Sequence, residues 1–156
     1  MFRKLFMIML GLALLGGFTV AEAGTLTLRV DTDEFADFDV TDNGVNQNGA
    51  AFYVSGVICA ELDLLNASCT PIGKFHCWGW LVGPTQEVAL VSQEFDIDGR
   101  GKIQVQGVED DGPRAIVGGT GDFRNVRGEA TGFDLSEFQN ADFDGEFIAT
   151  FELIGR

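Results

Sequence analysis

From residue 24 onward the chain repeats one local pattern: short runs of alternating apolar and polar residues, set apart by Gly, Asn and Asp. A period of two sends successive side chains to opposite faces of an extended backbone, so the pattern predicts strands and hairpins. The predicted strands lie at 25–31, 34–40, 50–61, 73–82, 86–97, 101–108, 114–118, 126–134 and 144–153. The clearest hairpin spans 91–107, where Phe95/Ile97 and Ile103/Val105 alternate on either side of a turn begun by Asp98 and Gly99. The same stretch half-matches a calcium loop, but Arg100 stands at a ligand position and Gly107 where a bidentate Glu is required. A turn is therefore expected there. The 21 glycines supply turns, bulges and corners. About eight antiparallel strands build either a sandwich or a closed barrel, and such a barrel holds packed side chains or one small ligand. Periodicity leaves both architectures open.

The first 23 residues read differently. Arg3 and Lys4 precede an apolar run over 5–18, and Ala21 and Ala23 put small residues where a signal peptidase reads. The run is too short for a membrane span, which needs about 20 apolar residues. No Cys stands near the cut to accept a lipid. The expectation is a signal peptide over 1–23 and one exported domain, secreted or periplasmic, over 24–156. That mature chain carries 8 basic and 23 acidic residues, a net charge of −15 against −14 for the whole. Such a surface repels phosphate backbones, so nucleic acid is not an expected partner. An integral membrane barrel is not expected either, because regular lipid-facing segments of about ten residues are missing.

Export permits a disulfide, and the three cysteines, Cys59, Cys69 and Cys77, allow one pair. Sequence does not choose it. His76 and Cys77 are adjacent and so point to opposite faces of a strand, which argues against a shared metal ion. The acidic cluster of Asp31, Asp33, Glu34, Asp37, Asp39 and Asp42 would set Asp31, Asp33, Asp37 and Asp39 on one face of a continuous strand, with Phe35 beside them. A solvated face is the expected reading, with a weak divalent-ion site the alternative. No metal and no cofactor are expected. Asn66 begins an acceptor pattern for glycosylation, whose use depends on the host.

The most specific passage runs from 115 to 132: AIVGGTGDFRNVRGEATG. A dinucleotide-binding loop would have to open a helix, yet a Gly-punctuated strand follows, and no lysine is there to meet a phosphate. The residues predict a tight corner between two strands, closed by Phe123 packing inward. This passage resembles the signature of dirigent proteins and the equivalent turn of allene oxide cyclases, with Gly118, Gly119, Thr120, Gly121, Phe123, Arg124, Arg127 and Gly128 matching the dirigent form. The resemblance is strong over 95–135 and looser over 50–95. It implies an all-β, eight-stranded antiparallel β-barrel with a lumen, commonly assembled as a homotrimer. It also implies a secreted barrel that binds a small apolar molecule of phenolic, terpenoid or oxidised-lipid class. Such a barrel would steer a cofactor-free cyclisation or coupling, as a cyclase or isomerase does. The alternative is a non-catalytic structural or envelope-associated barrel with a filled lumen.

Within that frame the candidate catalytic residues are His76, Arg127 and Asp122. Arg127 matches the motif's second arginine, and Asp122 holds the variable position before its Phe. The stretch 75–82 places His76, Trp78 and Trp80 on one strand face and Phe75, Cys77 and Leu81 on the other. If the first face lines the lumen, Trp78 and Trp80 are ligand-binding candidates and His76 a general acid or base. Otherwise the rings plug the barrel or lie at a subunit contact. Glu129 shares a face with Arg127 and would join it in holding a polar ligand group if that face turns inward. On the outside the two would form a surface ion pair of little energetic worth.

Overall fold

The period-two pattern becomes eight strands in chain order: β1 Gly24–Phe38, β2 Ala51–Cys59, β3 Pro71–Val82, β4 Val88–Ile97, β5 Gly101–Val108, β6 Arg114–Gly119, β7 Arg127–Thr131 and β8 Glu146–Ile154. The structure is a computed structural model and describes residues 24–38, 50–64, 68–82, 88–110, 112–132 and 145–154. The expected leader at 1–23, Asp39, Asp42 and Asn66 lie outside the described residues. Each strand pairs antiparallel with the next, and β8 returns to β1 through pairs running from Gly24↔Leu153 to Asp31↔Glu146. The sheet is a closed eight-stranded barrel, which removes the exposed edges of a flat sheet.

The two runs predicted at 25–31 and 34–40 form a single strand. A bulge lies between them: Thr32 pairs with Gly56, Glu34 with Ser55, and Asp33 is the extra residue. The Thr32 hydroxyl fixes this bend, donating to the Gly145 carbonyl at 2.6 Å and accepting from the Gly145 amide at 3.0 Å. The bulge breaks the alternation on which a continuous acidic face depended, so that expectation is corrected.

Alternation decides what fills the cylinder. Phe75, Phe95, Phe147 and Phe151 all turn inward and are buried, with ring centroids 4.9–5.2 Å apart in tilted and edge-on contacts. Ile58, Ile103, Val105 and Ile116 complete this middle layer. The β2–β3, β4–β5 and β6–β7 connections lie at one end, called the corner end. The β5–β6 connection lies at the far end.

At the corner end the Gly-rich passage forms the expected turn, tightened by a 3-10 turn at Gly121–Phe123. Phe123 and Val126 are fully buried beneath it, and the Arg100 guanidinium lies 5.0 Å from the Phe123 ring centroid. Two glycines here are sterically required. Gly121 takes φ +58, and a side chain on it would meet the Arg100 carbonyl. Gly128 takes φ +133, and a side chain would strike the Glu152 carbonyl. At the neighbouring β4–β5 hairpin, Gly99 and Gly101 have positive φ, and Arg100 N–H donates to the Ile97 carbonyl at 3.0 Å. The stretch that half-matched a calcium loop is a hairpin turn.

The β2–β3 connection folds over the outside of the barrel. A disulfide joins Cys59 to Cys69, and Cys77 remains a buried thiol. Beneath this loop Arg29 is completely buried. It donates to the carbonyls of Asp63 (2.9 Å) and Ser68 (3.3 Å) and to the Glu146 carboxylate at 2.6 Å.

Candidate functional site

Inward-facing positions of a small barrel are ordinarily apolar, so polar groups among them stand out. Gln93 on β4 and Arg114 at the start of β6 are such groups, 3% and 1% exposed. Gln93 takes an apolar phase, between Val91 and Phe95, and Arg114 shares the phase of Ile116. Both sit toward the far end. The Arg114 side chain donates from Nη1 to Gln93 Oε1 at 3.1 Å and from Nε to the Val108 carbonyl at 3.1 Å. It lies over Gly107, whose missing side chain leaves room for it.

Two further groups complete the cluster. Cys77 is the β3 partner of Gln93, and Glu109 follows β5 in the inward phase of Val105 and Gly107. Burial, reinforced by the negative charge of Glu109, pushes the Cys77 thiol up to about 12, against a hydrogen bond with Gln93 and the charge of Arg114. At neutral pH this sulfur is a thiol and a poor nucleophile. Burial also raises the Glu109 carboxyl above the ordinary carboxylate range, while Arg114 opposes the shift. Among the described residues none hydrogen-bonds that carboxyl. Burial lowers Arg114, countered chiefly by Glu109, yet a guanidinium remains charged.

Around this cluster the wall turns small and apolar. Val91 and Ala89 line it on β4 and Ala130 on β7, and the Phe52 ring lies against Gly79. A cation, a carboxyl raised above its ordinary range and an amide therefore lie together beside apolar side chains. Such a set can bind a carbonyl, phenol or carboxylate, offset negative charge that builds on oxygen, and pass a proton.

The residues singled out from sequence lie elsewhere. His76, Trp78 and Trp80 share one strand face as expected, but it is the outer face, with Trp78 and Trp80 41% and 47% exposed. The inward phase of β3 belongs to Phe75 and Cys77, whose burial completes the aromatic core. The lumen-wall reading of the tryptophans and of His76 is thus corrected. His76 Nδ1 shares a 2.6 Å hydrogen bond with the Tyr53 hydroxyl on that outer surface. Arg127 and Glu129 are exposed, and Arg127 Nη1 donates to the adjacent Val126 carbonyl at 2.7 Å. Asp122 is exposed at the corner and meets Arg100 at 3.4 Å. The structure keeps Arg127 and Glu129 on β7 and Asp122 at the corner, apart from the β3 group of His76, Trp78 and Trp80.

Sequence reading missed Gln93, Arg114 and Glu109. The available signal was a polar residue in the apolar phase of a strand. Asp31, Cys59 and Cys69 place potential metal-ligand atoms within 4.8 Å of one another. The two sulfurs are bonded to each other, so neither offers a thiolate.

No family model matches the chain, and no curated protein matches it in sequence. Its likeness is to solved structures. Pyocyanin demethylase is similar with a TM-score of 0.60 and 21% identity, over 83% of this chain and 99% of that one. A pterocarpan synthase dirigent protein is similar with a TM-score of 0.59 and 16% identity, over 85% of this chain and 83% of its own. A second such protein gives 0.59 and 18%, over 87% and 96%. The fold is the allene oxide cyclase/dirigent-like barrel, as the Gly-rich corner implied.

Proposed function

We propose that this barrel binds a small, ring-bearing apolar molecule at its far end and steers a cofactor-free rearrangement or coupling of it. The observation that carries the reading is Arg114, a buried cation inside the barrel beside a carboxyl with no hydrogen-bond partner among the described residues. Such a grouping costs stability, because apolar residues of equal volume pack as well without the loss of solvation. Perturbed titratable groups kept inside a barrel at that cost are candidates for a functional site. The similar structures support a small-molecule role, since one is named for demethylating pyocyanin and two for pterocarpan synthesis.

In this reading Arg114 holds a ligand oxygen and stabilises charge developing on it. Glu109 delivers a proton to the ligand or removes one, and Phe52 and Val91 position its apolar body. Cys77 stays a spectator. The reading includes export after the leader and the trimeric assembly that the resemblance implies.

One observation favours a second reading. Four Phe rings fill the middle of the barrel, which suits a structural protein with a plugged interior. Native mass spectrometry separates the two, after incubation with a phenolic, a terpenoid and an oxidised fatty acid as probes. The ligand reading expects retention of one probe, weakened at least about tenfold in Glu109→Gln and in Arg114→Met, each checked for native circular dichroism. Retention of none, or unchanged retention in both variants, overturns it in favour of the plugged barrel.

A further inference from the structure

The inward positions of β2 to β6 fall into cross-strand rows. The row at the level of Arg114 runs Phe52–Gly79–Val91–Gly107, with Arg114 closing it on β6. The row beneath runs Val54–Cys77–Gln93–Val105–Ile116. The next holds Phe75 and Phe95, whose ring centroids lie 5.0 Å apart. That Phe layer lies about 13 Å along β3 from Gly79 at strand spacing. A ligand at the far end therefore has the first row as its wall.

This row alternates large side chains with absent ones. A Cβ on Gly79 would fall on the tip of the Phe52 ring, at Cζ and both Cε atoms. A Cβ on Gly107 would crowd the Arg114 stem, 3.0 Å from Cγ and 3.2 Å from Cβ. The two largest side chains of the row are thus folded along the wall, each into the space of a missing neighbour, with Val91 between them. Other strand glycines answer a different need. At Gly56, Gly73 and Gly119 an added Cβ would first strike a backbone carbonyl, of Asp31, Asp96 and Phe123 respectively. Those three allow close approach of the chain to itself. Gly79 and Gly107 give way to side chains instead, and both side chains belong to the candidate site. Neither glycine has a positive φ, so the backbone itself does not call for glycine at either position.

We propose, on the ligand-binding reading of the far-end site, that Gly79 is its specificity-determining residue and acts through Phe52. By leaving its own space to the ring tip, Gly79 holds Phe52 against the wall and sets the width of ligand that fits between the ring and Arg114. A methyl group at this position displaces the far end of the Phe52 side chain, not the backbone. With the wall close-packed behind it, the ring swings toward the ligand. Gly107 makes the same allowance for the Arg114 stem. An aromatic ring laid over a cross-strand glycine also supports strand pairing, and the test separates the two roles.

Equilibrium dialysis measures dissociation constants for phenol, naphthol and hydroxypyrene, a series of oxygenated rings of increasing width. Binding is assigned to the barrel interior where Arg114→Met weakens it. Gly79→Ala should weaken naphthol binding at least about tenfold. The double variant Gly79→Ala/Phe52→Leu should recover most of that loss, which a glycine needed only for strand pairing would not show. Phe52→Ala should raise the affinity for hydroxypyrene relative to naphthol at least about tenfold, because removal of the ring widens the same space. Each variant is checked for native circular dichroism, and if Gly79→Ala does not fold, the ratio in Phe52→Ala decides. Unchanged naphthol affinity in Gly79→Ala, a loss that Phe52→Leu fails to recover, or an unmoved ratio in Phe52→Ala each overturns this inference and leaves the proposed function standing. Absence of any binding that depends on Arg114 overturns the proposed function, and the role of Gly79 falls with it.

Discussion

Reduction of the Cys59–Cys69 disulfide should cost the barrel a definable amount of stability. The two residues are 10 apart in sequence, and the loop they close seats two carbonyls on buried Arg29. Cross-linking a loop of that length removes chain entropy from the unfolded state, worth about 2.7 kcal/mol at room temperature. If the released loop also lifts from Arg29, the loss grows, because the cation then depends on Glu146 alone among the partners named above. With a urea dependence of about 1.8 kcal/mol per molar, the minimum effect is a fall in midpoint of about 1.5 M. The assay is urea unfolding followed by tryptophan fluorescence, with and without a phosphine reductant at pH 8. Cys77 does not confuse it, since a thiol pushed up to about 12 neither pairs nor ionises under these conditions. Reduction is cleaner than replacing Cys59 by Ala, which would leave a void at a position 1% exposed. A midpoint shift below about 0.5 M would refute the account of this loop as a staple.

Three other outcomes follow from the same geometry. Phe123→Ala empties a fully buried ring site under the corner and should lower stability by about 3–5 kcal/mol in chemical denaturation, against no change if the corner is merely a surface turn. Gly128→Ala forces a side chain onto the Glu152 carbonyl at φ +133, so it should destabilise by at least about 2 kcal/mol and lower the soluble yield, whereas Gly118→Ala, with open space around it, should be nearly neutral. Glu109→Gln tests the sign of a titration. Because burial raises the folded-state value of Glu109 above its ordinary 4.5, its favourable contribution is present at low pH and lost as pH rises through the folded value. The variant should therefore unfold at higher temperature than the parent at pH 8, and the gap should close toward pH 4. A gap independent of pH would show the carboxyl to be ordinarily solvated.

Much of the fold was legible because strands advertise themselves by period and glycines by steric need. The β4–β5 hairpin, the inward Phe123 and the corner at 118–128 were each readable from residue type and spacing. Phase was harder. The stretch 75–82 offers two apolar faces, and local sequence does not say which one a closed sheet turns inward. The Phe75 face wins because Phe95, Phe147 and Phe151, distant in sequence, supply its neighbours. The bulge at Asp33 was invisible for a similar reason, being fixed by Gly145 more than a hundred residues away. Gln93, Arg114 and Glu109 come from three segments and form a group only once the cylinder closes.

The strand pairing that seals the cylinder joins its first strand to its last. Until residues 146–154 are in place, β1 and β7 each present an unsatisfied hydrogen-bonding edge. Closure of the barrel thus depends on a long-range contact, which predicts slow folding by comparison with locally wired folds. A species lacking the final strand is the one most exposed to intermolecular β-pairing, and its lifetime, more than the native stability, should set the yield of folded protein.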